Sequence, residues 1–312
     1  MYLLITNKQD VTMDFIVQEL ERRCLPYLRL NTEDIASYFV SFGVRKNDWQ
    51  LEYNGTAVSG KNISAAYFRR PGNPEFDDLA EHEDYVRNEW LAALKSLYWR
   101  MKDKFLNSPS DILLSEDKPR QLSEAYDIGF NLPGTIITNN FEKIAPFQKE
   151  FSLIAKPLRQ AILGDESVVF TSSIGSVSAK DSSKISVCPC IFQQEIAKKY
   201  DLRITIVGEN AYPVAIHSQT NLETKTDWRK GGYTDIKHTL VDIPSNIKNM
   251  CIALTKRLGL RFSAIDLIVD NNNTYWFLEI NPNGQWAWIE NQTKAPISKA
   301  IVDELVEISH EH

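Results

Sequence analysis

Basic residues are in deficit: 35 Lys and Arg stand against 41 Asp and Glu, a formal net charge of -6. That balance argues against a general binder of nucleic acid or anionic membranes, which needs a cationic surplus. It leaves room for a local basic pocket. Long apolar runs are also missing, and none approaches membrane-spanning length. The opening Met1-Tyr2-Leu3-Leu4-Ile5-Thr6-Asn7 has no basic leader and too short an apolar stretch for a signal peptide, so it reads as a first buried strand. Cysteine is scarce. Cys24, Cys188, Cys190 and Cys251 are too few and too scattered for a disulfide framework, and a reduced, cytoplasmic protein is the simplest reading. Cys188-Pro189-Cys190 lacks a second Cys or His pair at zinc-site spacing. His82, His217 and His238 show no partner pattern for a catalytic triad. Neither G-x-x-x-x-G-K-[ST] nor G-x-G-x-x-G occurs, so P-loop and Rossmann phosphate binding are excluded.

What is present is ordinary globular material. With 312 residues, 43% hydrophobic and 24% charged, the length suggests about two domains, with room for a third. The first third alternates strand and helix. Tyr2–Thr6 is followed by Thr12 as an N-cap and by Met13, Ile16, Val17 and Leu20 at helical spacing. A strand over 27–30 comes next, then a hairpin turning at Asn54-Gly55. Ala65–Phe68 delivers Arg69-Arg70-Pro71-Gly72 to its carboxyl end, where the arginines face a cleft or solvent or serve a helix end. Val86, Trp90, Leu94, Leu97, Met101 and Phe105 make a long amphipathic helix. This βαβ-like opening fits a small parallel-sheet domain.

A boundary is expected near 109–116. Beyond it come a helix stopped by Gly129 and strands over 135–138, 152–156 and 167–171. Residues 172–186, rich in Ser, Lys and Gly, read as a mobile loop. Strands over 191–196, 202–207 and 212–217 follow, then a helix with Pro244 at its first position and Gly259 at its end. A hairpin turns at Asn271-Asn272-Asn273, and a last helix carries Ile297, Ile301, Leu305 and Ile308.

That hairpin is the most informative feature. Asp266 interrupts the apolar run Ser263-Ala264-Ile265-Asp266-Leu267-Ile268-Val269, and Glu279 interrupts Trp276-Phe277-Leu278-Glu279-Ile280, with Asn281 two residues on. Alternation puts Glu279 and Asn281 on one face, and if Asp270 pairs with Tyr275, Asp266 stands opposite Glu279. Two facing carboxylates repel and are costly to bury without a cation. A hard divalent ion with oxygen ligands is the natural partner, and magnesium on nucleotide phosphates fits best. Solvated acids on a surface hairpin are the ordinary alternative, which the apolar neighbours disfavour. Phosphates would then be held by side chains, with Lys118, Lys156, Arg203 and Arg229 as candidates. Each alone also reads as a solvated charge.

Glu279-Ile280-Asn281-Pro282-Asn283-Gly284, with Asp266 upstream, resembles the metal signature of ATP-grasp enzymes. Several runs resemble one branch of that superfamily, the microviridin-type (graspetide) peptide maturases. They are Phe192-Gln193-Gln194-Glu195-Ile196, Asp201-Leu202-Arg203-Ile204-Thr205-Ile206-Val207-Gly208, Asp227-Trp228-Arg229, Asn281-Pro282-Asn283-Gly284-Gln285-Trp286 and Tyr67-Phe68-Arg69-Arg70-Pro71. The resemblance spans nearly the whole chain and is densest between about residues 190 and 290.

The resemblance implies a mixed α/β fold of ATP-grasp type: an N-terminal pre-ATP-grasp domain (1–115), a central domain (116–190) and a C-terminal domain (191–312). It implies that Lys118 and Lys156 contact ATP phosphates, that Gln193, Gln194, Glu195 and Ile196 frame adenine, and that Arg203 and Arg229 steady the transferring phosphoryl group. Asp266, Glu279 and Asn281 would bind two Mg2+ ions. Asp201 would help take the nucleophile's proton, with a structural ion pair as the other reading. The implied reaction activates an Asp or Glu side chain of a precursor peptide (leader plus core) as an acyl phosphate. A Ser, Thr or Lys side chain then closes an ester or amide macrocycle. A homodimer is expected from the same resemblance. Two alternatives remain: a ligase adding a free amino acid to a peptide or protein carboxylate, and a nucleotide-binding scaffold that only recognises a peptide.

Overall fold

The computed structural model describes residues 1–76, 82–159, 171–220, 227–228 and 236–311. Its amino-terminal sheet is parallel, with Tyr2–Thr6 between Tyr27–Asn31 and Ala65–Phe68. The helix Val11–Arg22 follows the first strand. Its N-cap is Asp10, whose carboxylate accepts from Thr12 N–H, so the cap falls two residues earlier than the expected Thr12. A three-stranded meander, Phe39–Phe42, Trp49–Tyr53 and Thr56–Ser59, packs beside this sheet. Its turn at Asn54-Gly55 has positive φ at both residues, 47° and 75°, as a primed hairpin turn requires. The long helix runs from Glu83 to Arg100.

The stretch over 109–116, where a boundary is expected, is mostly the helix Pro109–Ser115. The helix after it, Lys118–Ile128, sends Ala125 into the core of the carboxy-terminal sheet. The central sheet is antiparallel in the order Thr135–Thr138, Cys190–Gln194, Leu153–Lys156, Ser172–Ile174. The strand Cys190–Gln194 thus hydrogen-bonds on both sides within the central sheet. The stretch read as a mobile loop is partly ordered: Ser172–Ile174 pairs with Leu153–Ala155, and Ser182–Ile185 forms a short helix. Neighbouring strands and buried Ile144 give these residues partners that composition does not reveal. The strand expected over 167–171 lies, apart from Thr171, outside the described residues.

The largest sheet has five antiparallel strands in the order His238–Leu240, Asn210–Ile216, Lys198–Val207, Phe262–Asp270, Tyr275–Asn281. Alternation sorts it into two faces. Leu202, Ile204, Ile206, Ile265, Leu267 and Val269 pack against Ile247, Cys251 and Leu254 of the helix Ser245–Arg257. Asp201, Arg203 and Asp266 turn the other way. The final helix, Ile297–His310, returns to the beginning of the chain and shares a core with Met13, Ile16, Leu20 and Tyr67. No helix among the described residues is long and apolar enough to cross a membrane.

Charge reinforces that return. Arg23 bridges Glu19 and Asp303, at 2.7 Å to each, tying the first helix to the last. Hydrogen bonding from Arg22, with Arg23 adding to it, lowers the Glu19 carboxyl from 4.5 to about 2. A depressed carboxylate stabilises the fold above its ordinary value and loses that effect as pH falls toward its folded value. Glu19→Gln should cost about 1 kcal/mol near neutral pH. Thermal melts should show the gap from wild type held down to about pH 4.5 and closing as pH falls toward about 2.

Candidate active site

Strand register assembles the site. Arg203, Asp266 and Glu279 are direct neighbours across three adjacent strands, so one cation and two anions stand in a row. The Asp266–Glu279 pairing is the expected one, but the chain reaches it differently. Val269, not Asp270, pairs with Tyr275, and a β-bulge beside Asp266 and Leu267 shifts the register by one. The bulge lets Phe277 and Ile280 both enter the core, while Glu279 and Asn281 stay beside Asp266.

Asn281 Nδ2 donates to Asp266 Oδ2 at 3.1 Å and to Glu279 Oε1 at 3.4 Å. The sequence-predicted trio is therefore one cluster. Arg203 Nε lies 3.8 Å from Asp266 Oδ1, and Lys118 Nζ lies 3.6 Å from Glu279 Oε2. These are loose ion pairs. Asp266 and Arg203 are 8% and 6% exposed, so little water screens that pair, while Glu279 is partly buried. Among the described residues no group of three His, Cys, Asp or Glu side chains could hold a metal. The trio supplies two carboxylates and an amide. Turning the Asn281 amide about its Cβ–Cγ bond exchanges Nδ2 for Oδ1, completing an oxygen donor set suited to a hard cation.

Lys118 opens the helix Lys118–Ile128, behind the N-cap Asp117. A cation there opposes the helix dipole, which favours negative charge at that end. Its Nζ also donates to Pro157 O at 3.3 Å, so it spans the gap to the end of a central strand. On that strand Lys156 donates to Gln193 Oε1 at 2.8 Å, and Gln193 Nε2 donates to Thr135 Oγ1 at 2.9 Å. Gln194 Oε1 accepts from Gly134 N–H at 3.1 Å. Glu195 and Ile196 lie beyond the strand's end, and exposed Glu195 accepts from Ser173 Oγ at 3.2 Å. Of the expected adenine-framing residues, Gln193 is the buried one, at 1% exposure.

Asp201 is 5% exposed and is held bidentately by Lys198, at 2.8 and 2.9 Å, and by the Ser218 hydroxyl. The Asp201 ion pair thus runs to Lys198, whereas Arg203 faces Asp266. Burial pushes the Asp201 carboxyl above its ordinary value, and Lys198 and Ser218 pull it partly back. The Arg203 guanidinium also lies over the Trp228 ring, 5.6 Å from its centroid. Arg229 lies outside the described residues. Lys198 and Ser218 were not anticipated, although a lysine three residues before a strand Asp is a signal for such a pair; Trp228 entered only within the run Asp227-Trp228-Arg229.

Comparison with known proteins places this geometry. Residues 138–305, more than half of the chain, match the RimK-like ATP-grasp domain. No curated protein matches. A Chryseobacterium gregarium RiPP-associated ATP-grasp ligase, solved in complex with ADP and a leader and core peptide, is similar at TM-score 0.88 and 29% identity, covering 98% of this chain and 96% of that one. The macrocyclase MdnC of Microcystis aeruginosa MRC, solved bound with precursor peptide MdnA, is similar at TM-score 0.82 and 28% identity, covering 98% and 99%. Macrocyclase MdnB of the same organism has TM-score 0.78 and 26% identity, with 98% of each chain covered.

The Lys198–Asp201 pair makes a measurable demand. Lys198→Met leaves Asp201 buried beside an uncharged side chain and should cost about 3–5 kcal/mol at pH 7. A buried acid with a raised pKa destabilises the fold increasingly as pH rises through its unfolded value, because only the unfolded chain ionises it freely. Urea denaturation should therefore show the deficit of Lys198→Met shrinking as the pH is lowered toward 4.

Proposed function

The chain belongs to the RimK-like ATP-grasp domain family, and from that membership we propose that it is an ADP-forming ligase closing side-chain ester or amide rings in a ribosomally made precursor peptide. The observation that carries the substrate class is that likeness to peptide-bound ligases runs over nearly the whole chain, amino-terminal sheet included. The family match alone begins only at residue 138.

On this reading the nucleotide lies between the central and five-stranded sheets, where Lys118 and Lys156 supply positive charge to its phosphates. Gln193 and the backbone through Ile196 frame the base. Asp266, Glu279 and Asn281 would hold the magnesium, which would supply positive charge against the anionic phosphates. Arg203 is already desolvated and stacked, so its fork can bind anionic oxygen without first shedding water. Arg229 serves the same group from the segment after Trp228. The peptide carboxylate attacks the γ-phosphorus and releases ADP; a hydroxyl or amine of the same peptide then attacks the acyl carbonyl and expels inorganic phosphate. Asp201 accepts that nucleophile's proton. The division into domains at 1–115, 116–190 and 191–312, two bound Mg2+ ions and a homodimer belong to the same proposal.

The test is mass spectrometry of a Thr- and Glu/Asp-bearing peptide encoded beside the gene, after incubation with the protein, ATP and Mg2+. Loss of one or more waters, with ADP formed in step, is the expected result. Asp266→Asn should abolish both, a rate loss of at least about 100-fold. ATP turnover only on adding a free amino acid, with no water lost from the peptide, would overturn cyclisation and favour an amino-acid ligase.

A further inference from the structure

Glu279 and Asn281 sit at the end of an edge strand, where the sheet offers hydrogen bonds on one side only. Buried side chains from other segments take over the remainder. Gln121, 3% exposed, accepts from Ile280 N–H at 3.2 Å and donates to Ile280 O at 2.8 Å and Ser115 O at 2.6 Å. Its carboxamide meets Ile280 as the peptide group of a neighbouring strand would. Asn107, 5% exposed, donates to Pro282 O and Phe262 O, both at 2.7 Å. Its Oδ1 accepts from the N–H groups of Arg261 and Phe262, at 2.9 and 3.1 Å. Arg69, 1% exposed, donates to Gly284 O at 3.2 Å while its Nε lies 3.2 Å from Asp10 Oδ2. Of the expected places for Arg69, a cleft, solvent or a helix end, its buried pairing with Asp10 fits the last. Asp10, also the cap of the first helix, holds it in the interior.

The carbonyls of residues 280, 282 and 284 are thus each taken by a side chain from a different upstream segment. Gly284 leaves the segment little slack, since a Cβ there would lie 2.5 Å from Ala264 Cβ and 3.1 Å from Arg203 Nη2. Apolar side chains could fill these positions without the desolvation cost of a buried amide or guanidinium. What they could not do is fix a backbone segment at three points along its length.

We propose that Arg69, Asn107 and Gln121 are positioning residues that hold residues 280–284 so that Glu279 and Asn281 meet Asp266 at the metal site. The proposal rests on the ligase reading above. Residues that orient metal ligands from behind change metal affinity when replaced, beyond any loss of stability.

Binding of Mn2+ in the presence of ADP, followed by the electron paramagnetic resonance signal of the free ion, reads this without turnover. Gln121→Met and Arg69→Lys are compared with Leu97→Ala, a core truncation in a hydrophobic cluster of the amino-terminal sheet that contains none of residues 280–284. Each folded variant of the first two should bind Mn2+ with ADP roughly 10- to 100-fold more weakly than wild type, whereas Leu97→Ala keeps wild-type affinity at an equal or larger drop in Tm. Wild-type affinity in Gln121→Met or Arg69→Lys would overturn the proposal. So would an equal affinity loss in Leu97→Ala, which would mark general softening. The two substitutions lie in different segments, so either folded variant decides. Failure of the wild type itself to bind Mn2+ with ADP would instead sink the ligase reading.

Discussion

Two carboxylates, Asp266 and Glu279, face one another on adjacent strands, and much of the surrounding structure is arranged by that repulsion. Like charges directly opposite in a sheet destabilise it, and the near-burial of Asp266 removes water that would screen them. The chain brackets the pair with Arg203 on one side and Lys118 on the other, at 3.8 and 3.6 Å. Asn281 bridges both acids with its amide. Both of these ion pairs are long. On the proposed reading an added divalent charge offsets the repulsion between the acids.

The rest of the fold delivers the members of that row from distant parts of the chain. Arg203 and Asp266 arrive on two of the three inner strands of the five-stranded sheet, whose other face packs against one side of the helix Ser245–Arg257. Lys118 arrives on a helix that packs on the same sheet yet reaches the end of a central strand through Pro157. On the proposed reading this seam is where the nucleotide lies, since Lys156 and Gln193 stand on its far side. The amino-terminal sheet reaches the site from behind. Arg69 leaves it to meet Gly284, and Trp286 Nε1 donates to Tyr67 OH at 3.3 Å.

Much of this was legible in sequence because it rests on local rules. Polar residues interrupting apolar strands marked Asp266 and Glu279, and Asn54-Gly55 marked its hairpin turn. Other features were illegible for definite reasons. Buried Gln121 could have been suspected from its i, i+4 spacing to Ala125 on the apolar stripe of its helix, but its partner Ile280 lies 159 residues away. Arg69 reads equally as a charge for a cleft, for solvent or for a helix end, because only the folded chain brings Asp10 beside it. The Ser- and Lys-rich stretch after residue 171 read as loop because composition does not report a neighbouring strand.

By itself the sequence determined the alternation of strand and helix, the identity of the acids and cations, and a family resemblance that the RimK-like match bears out. Those follow from residue type and short-range period, which each segment carries within itself. Tertiary structure alone decided that the register shifts by one at a bulge and still sets Asp266 against Glu279. It also decided that Asp201 pairs with Lys198 while Arg203 faces Asp266. The reason is physical: a strand's pairing partner, and the charge that ends up within 4 Å of another, are set by how separate segments bury their apolar faces together.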